Sequence, residues 1–71
     1  MPTIIVEWLA IRSDAQRRKL VERITPIVAE CADVGIESVI VKFREDQIDR
    51  WAKGGRFGTD LYPQHTGKKK R

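Results

Sequence analysis

The sequence predicts one small domain of the α/β (α+β) class, a β-α-β unit that carries a C-terminal arm. Three observations support that prediction. TIIVEWL at residues 3–9 and SVIVKFR at residues 38–44 are short, β-branched and aromatic, which is strand composition. The stretch between them opens on a capping signal and repeats apolar residues at helical spacing. The chain has 71 residues, which limits it to a single domain. Two strands of one sheet joined through a helix run parallel, with a right-handed crossover.

In the first strand Ile4, Val6 and Trp8 share one face, and Thr3, Ile5, Glu7 and Leu9 share the other. Both faces are largely apolar, as in a strand covered on two sides. The helix starts after Ser13, a good N-cap, and Gln16 completes a capping box. Asp14 suits the positive end of the helix dipole. Leu20, Ile24, Ile27, Val28 and Cys31 form the expected apolar stripe. Pro26 lacks an N–H and predicts a bend near the last turns, within one helix because the stripe continues through it. Residues 32–37, ADVGIE, predict a turn, with Gly35 near the helix end.

The second strand should turn Val39, Val41 and Phe43 toward the helix and Ile40, Lys42 and Arg44 away from it. Residues 45–62, EDQIDRWAKGGRFGTDLY, read as a loop. Within it Gly54, Gly55 and Gly58 flank RF and can turn a short hairpin arm. PQHTGKKKR has nothing apolar to pack. The expected division is a domain over 1–62 and a disordered basic tail over 63–71.

A chain this short is marginal alone and needs a staple, a metal or a partner. Cys31 is the single cysteine, so no internal disulfide forms, and His65 is the single histidine, so no zinc cluster forms. Oligomerisation is the remaining staple. One cysteine and no leader predict the cytoplasm. The opening apolar stretch is short and contains Glu7, which excludes a membrane span there.

The net charge of +4 equals the charge of the terminal KKKR, so the body is neutral overall. A basic tail gives salt-dependent phosphate binding. The neutral body, the absence of a helix-turn-helix or zinc pattern and the few aromatics weigh against a nucleic-acid module.

The chain opens MPTIIVEW. Proline is tolerated as the first residue of a strand. It is also small enough for the initiator methionine to be removed in front of it. Removal would leave Pro2 with a free secondary amine, held at the tip of a strand.

With these elements in place, the chain resembles the tautomerase superfamily, the group of 4-oxalocrotonate tautomerase. The resemblance rests on the proline behind the start methionine, the aliphatic strand, RSDAQRRKL opening the helix, SVIVKF as second strand, and WAKGG after it. It runs from Met1 to Gly55. It implies a β-α-β protomer that pairs into a dimer, with a hexamer of three dimers favoured over the dimer alone. It implies a cofactor-free keto–enol tautomerase acting on a small carboxylate, a 2-oxo or 2-hydroxy-enoic acid.

The resemblance also assigns roles. Pro2 is the general base and acid. A base works best with a pKa near the operating pH, and apolar surroundings or nearby cations depress an amine's pKa toward it. Arg12 falls on the family arginine that binds the substrate carboxylate, and Trp51 on the aromatic that walls the pocket. Ile40 departs from the pattern, since many tautomerases of this type have an arginine there. Lys42 or Arg44, on the same strand face, is the expected substitute.

A second branch of the superfamily hydrates or dehalogenates acrylates and needs a carboxylate to position water. Ala52-Lys53 offers none after the aromatic, although Glu7 or Asp49 could fold in. The competing readings are structural. Pro2 starts a strand, Arg12 caps the loop or pairs with Asp14, and Lys42 and Arg44 are a solvated strand face. Arg17, Arg18, Lys19 and Arg23 then form a solvated helix face. The matching alternative function is a catalytically weak tautomerase-like scaffold or binding protein with a basic tail.

Overall fold

Strand β1 (Thr3–Leu9) leads through a turn into helix α1 (Asp14–Ala32), and a 3-10 turn (Ile36–Ser38) returns the chain to strand β2 (Ile40–Asp46). A second 3-10 turn (Ile48–Arg50), the two-residue strands β3 (Ala52–Lys53) and β4 (Arg56–Phe57), and the short helix α2 (Gly58–Leu61) make the arm. The computed structural model describes residues 1–65. Residues 66–71 of the expected basic tail (63–71), with its Lys68, Lys69, Lys70 and Arg71, lie outside the described residues. Within the expected tail, Pro63–His65 form a 3-10 turn.

The ends of α1 are set by local chemistry. Ser13 Oγ accepts from the Gln16 N–H at 3.2 Å, and Gln16 Oε1 accepts from the Ser13 N–H at 2.8 Å, which closes the capping box. At the other end Asp33 adopts φ 58° and donates back to Ala29 and Glu30. Asp33, not Gly35, is the left-handed cap, because a short polar side chain tolerates that region. Pro26 sits inside α1 on its exposed side. Its missing N–H leaves the Glu22 carbonyl without a helical donor, which water can replace at the surface.

β1 and β2 are parallel, in register from Thr3↔Ile40 to Leu9↔Asp46. β2 begins two residues later than SVIVKFR suggests, because Ser38 belongs to the 3-10 turn. It also extends through Glu45 and Asp46, residues expected in the loop. Ile4, Val6, Trp8, Val41, Phe43 and Glu45 share the half-buried face under α1. Trp8 and Phe43 stack there, ring centroids 5.4 Å apart. Thr3, Ile5, Glu7, Lys42 and Arg44 lie on the opposite face and are exposed.

The apolar stripe of α1 also differs from its expected membership. Leu20, Val21, Ile24, Thr25 and Val28 are half-buried and Ala29 is buried, whereas Ile27 is 58% exposed and Cys31 is exposed. Two strands are too narrow to cover the whole stripe, so its far edge projects past the sheet. The molecule is a thin slab of 46 × 24 × 13 Å. Its radius of gyration is 15.7 Å, against about 11 Å for a globule of this length.

The arm folds on itself. β3 and β4 are antiparallel around Gly54 (φ 60°) and Gly55 (φ 81°), the two positive φ values that a type I′ turn requires. Trp51 lies against Tyr62, ring centroids 6.3 Å apart, and its carbonyl accepts from the Gly58 N–H at 2.8 Å. Gly58 is buried, and a Cβ placed there would meet the Ile48 side chain and carbonyl at 2.7 Å. Among the described residues no helix is long and apolar enough to cross a membrane. Gly58→Ala should therefore overpack the arm and destabilise the protein by about 1–3 kcal/mol, read as a lower denaturation midpoint.

Candidate active site

The residues singled out in the sequence occupy three separate places on the protomer. Pro2 is half-buried just before β1, and its carbonyl accepts from the Ile40 N–H at 2.9 Å. That bond fixes Pro2 beside the start of β2, where Ile40 stands in register with Thr3, the residue after Pro2. Arg12 lies beyond the other end of β1, in the turn before α1. Seven strand residues rising roughly 3.3 Å each separate the two by roughly 20 Å. Trp51 is in the arm, packed on Tyr62. A single protomer brings Pro2 and Ile40 together and does not bring Arg12 or Trp51 to them.

Lys42 and Arg44 share the open sheet face with Ile40, as the alternation predicts. Lys42 stands opposite Ile5 and Arg44 opposite Glu7. Lys42 is two residues from Ile40, roughly 7 Å along the strand, within the reach of its own side chain. Arg44 is twice as far and faces an opposite charge in register.

The densest polar network was not legible in the sequence. Arg17 was expected on a solvated helix face with Arg18, Lys19 and Arg23. Those three are exposed, but Arg17 is half-buried and paired. Its Nη1 donates to Glu45 Oε2 at 3.0 Å and to the Arg12 carbonyl at 3.1 Å, and its Nη2 donates to Asp14 Oδ1 at 2.5 Å. Asp14 therefore pairs with Arg17 rather than with Arg12. Trp8 Nε1 donates to the same Glu45 Oε2 at 2.7 Å. The Arg12 guanidinium lies over the Trp8 ring, 5.5 Å from its centroid.

These contacts set the protonation of the network. The Trp8 hydrogen bond is the largest effect on Glu45; burial opposes it, and with the added contribution of Arg17 the carboxyl is held below its ordinary range. The Arg17 hydrogen bond holds Asp14 low in the same way. Asp14, and next Glu45, raise Arg17 further above its ordinary value. The signal that could have found this cluster is the register, since Trp8 and Glu45 are partners across the parallel pair.

Two clefts run along the flank of α1. Asp14, Arg17, Arg18, Val21 and Glu22 line one, and Val21, Glu22, Thr25, Pro26 and Ile36 line the other. Neither touches Pro2, Ile40, Lys42, Arg44 or Trp51. Among the described residues no group of three His, Cys, Asp or Glu side chains is placed to hold a metal ion.

Comparison with known proteins gives a consistent set of similarities. A family model described as tautomerase enzyme matches residues 2–61. The chain is 39% identical over 60 residues to a protein named probable tautomerase from Halalkalibacterium halodurans, covering 84% of this chain and 98% of that one. It is 34% identical over 61 residues to the 2-hydroxymuconate tautomerase of Bacillus subtilis, covering 86% and 98%. The crystal structure of a 4-oxalocrotonate tautomerase homologue superposes with a TM-score of 0.79 at 32% identity, covering 84% of this chain and 95% of that one.

The Glu45 network yields a signed pH dependence. A carboxyl held low in the folded state contributes stability above its unfolded pKa, and that contribution is lost as pH falls through the lowered folded value. Glu45→Gln should lower the melting temperature near neutral pH. Its deficit relative to the parent should shrink as pH falls through the acidic range below the ordinary glutamate pKa. Thermal melts of both proteins across that range check it; a constant deficit would contradict the assignment.

Proposed function

The chain belongs to the tautomerase family, and on that premise we propose that it is a cofactor-free keto–enol tautomerase of a small 2-oxo or 2-hydroxy-enoic acid. Membership makes it an isomerase. In this reading residues 1–62 are the catalytic domain, supported by the family match over 2–61, and the basic tail is an accessory. One exposed free thiol, Cys31, suits a reducing compartment, and we assign the protein to the cytoplasm.

The observation that carries the reading is the placement of Pro2. It is half-buried, aligned by the Ile40 N–H and adjoined by Met1, which is 83% exposed and accessible for removal. With Met1 gone, the Pro2 amine takes the proton from the enol hydroxyl as the carbonyl forms. The resulting ammonium returns a proton to the carbon end of the same conjugated system, so base and acid are regenerated in each turnover. Arg12 binds the substrate carboxylate in a two-pronged contact. Lys42 supplies the cation that Ile40 lacks, and its spacing from Ile40 favours it over Arg44. Trp51 walls the site and excludes water.

Pro2 and Arg12 of one protomer cannot reach the same small acid, so the site is completed between copies. The open sheet face, where Ile5 is 49% exposed, and the projecting arm, where Phe57 is 53% exposed, supply surface for that contact. A hexamer is the favoured assembly and a dimer the alternative.

Intact mass of the purified protein is expected to lack one methionine. Retention of Met1 would lock the Pro2 nitrogen in an amide and leave the scaffold reading. Pro2→Ala should then reduce turnover of phenylenolpyruvate by about a hundredfold or more, the scale of general acid–base catalysis. Unchanged turnover would refute the mechanism. Light scattering at micromolar concentration should return a multiple of the 8.2 kDa chain mass, and a folded monomer would refute the shared site.

A further inference from the structure

Arg12 is exposed, yet its backbone and its side chain are both held. Its carbonyl accepts from Arg17 Nη1 at 3.1 Å, and its Cζ lies 5.5 Å from the Trp8 ring centroid. That distance is inside the cation–π limit of about 6 Å. Arg17 also binds Glu45, and Glu45 accepts from Trp8 Nε1 at 2.7 Å, which closes a ring through Trp8, Glu45, Arg17 and Arg12. Packing alone does not explain an indole here. An aliphatic side chain would fill the same half-buried strand position, whereas the indole N–H needs a partner and takes Glu45.

We propose that Trp8 is a positioning residue: its ring, locked by Glu45 and stacked on Phe43, holds the Arg12 guanidinium ready for a substrate carboxylate. The inference rests on the reading of Arg12 as carboxylate anchor. An arginine already ordered loses less side-chain freedom on binding than one that samples all its rotamers. A guanidinium seated on an aromatic ring keeps its N–H donors at the rim, where a carboxylate meets them. The two contacts therefore add instead of competing. Trp8 touches no reacting atom, so its effect falls on the affinity for charged substrates and not on proton transfer.

The test is steady-state kinetics of the full chain on phenylenolpyruvate and on its methyl ester, which lacks the carboxylate charge. Trp8→Met keeps an apolar side chain and removes the ring. It should raise KM for the acid roughly two- to fivefold, with kcat little changed and KM for the ester unmoved. Trp8→Phe restores an aromatic face and should return KM for the acid toward the parent value.

Equal rises for acid and ester in Trp8→Met would overturn the proposal. Arg12→Ala separates the two claims. A raised KM for the acid in Arg12→Ala without one in Trp8→Met overturns the role of Trp8 alone. An unmoved KM in Arg12→Ala overturns the anchor reading and the proposal together. Should Trp8→Met fail to fold, proton NMR of the parent decides. The Arg12 Nε–H resonance is expected upfield of other exposed arginines from the Trp8 ring current, and an ordinary shift overturns the platform.

Discussion

One helix can shield only one side of two strands, and the rest of the molecule follows from that limit. α1 covers Ile4, Val6, Trp8, Val41, Phe43 and Glu45, while Ile5, Lys42 and Arg44 remain open on the far face. Ala29 is the one buried hydrophobic side chain among the described residues. Hydrophobic stabilisation scales with the apolar area removed from water, and a slab 13 Å thick removes little. The exposed edge of α1 at Ile27 and the exposed Phe57 of the arm point the same way. A chain built so leaves apolar surface open, which is the surface that the proposed assembly with further copies would cover.

The same geometry makes the strand a ruler. β1 holds Pro2 at one end and Arg12 beyond the other, and the parallel register ties Ile40 to the Pro2 end. The residues that the proposed chemistry needs are far apart within one chain, and neither cleft along α1 includes them. In the proposed reading, folding and activity share one requirement: assembly would cover the open apolar surface and would bring together the residues assigned to the chemistry.

Local signals were legible in the sequence; among long-range features the parallel pairing of β1 with β2 was legible and the side-chain contacts between elements were not. Ser13 and Gln16 interact across one turn, so the capping box could be read and appears as expected. Gly54 and Gly55 mark a hairpin turn by conformational freedom alone. The alternation of Ile40, Lys42 and Arg44 against Val41 and Phe43 also follows from strand geometry. By contrast, nothing local distinguishes Arg17 from Arg18, Lys19 or Arg23. Arg17 is recruited because α1 lies across β2 at Glu45, a contact between elements distant in sequence. Ile27 and Cys31 continue the helical period correctly, yet the sheet beneath is too narrow to receive them. The site shared the same limitation: residue types and spacing could be matched to a family pattern, whereas their separation within one protomer depends on the fold.

The departure at Ile40 carries a consequence for the substrate. A second carboxylate brought to the Pro2 end would meet an isoleucine, and an anion desolvated against an apolar side chain is strongly disfavoured. Glu7 stands in register with Arg44 and offsets that charge on the open face, whereas Lys42 stands opposite Ile5 with no acid beside it in the pair. The proposed site therefore has one firm anion anchor, Arg12, and one mobile cation, Lys42. A long ammonium side chain can follow the shifting charge on a carbonyl oxygen but lacks the planar fork that grips a carboxylate. This division suits an acid with a single carboxylate and an enolisable carbonyl. A rigid dicarboxylate, which needs a fork at each end, fits it less well.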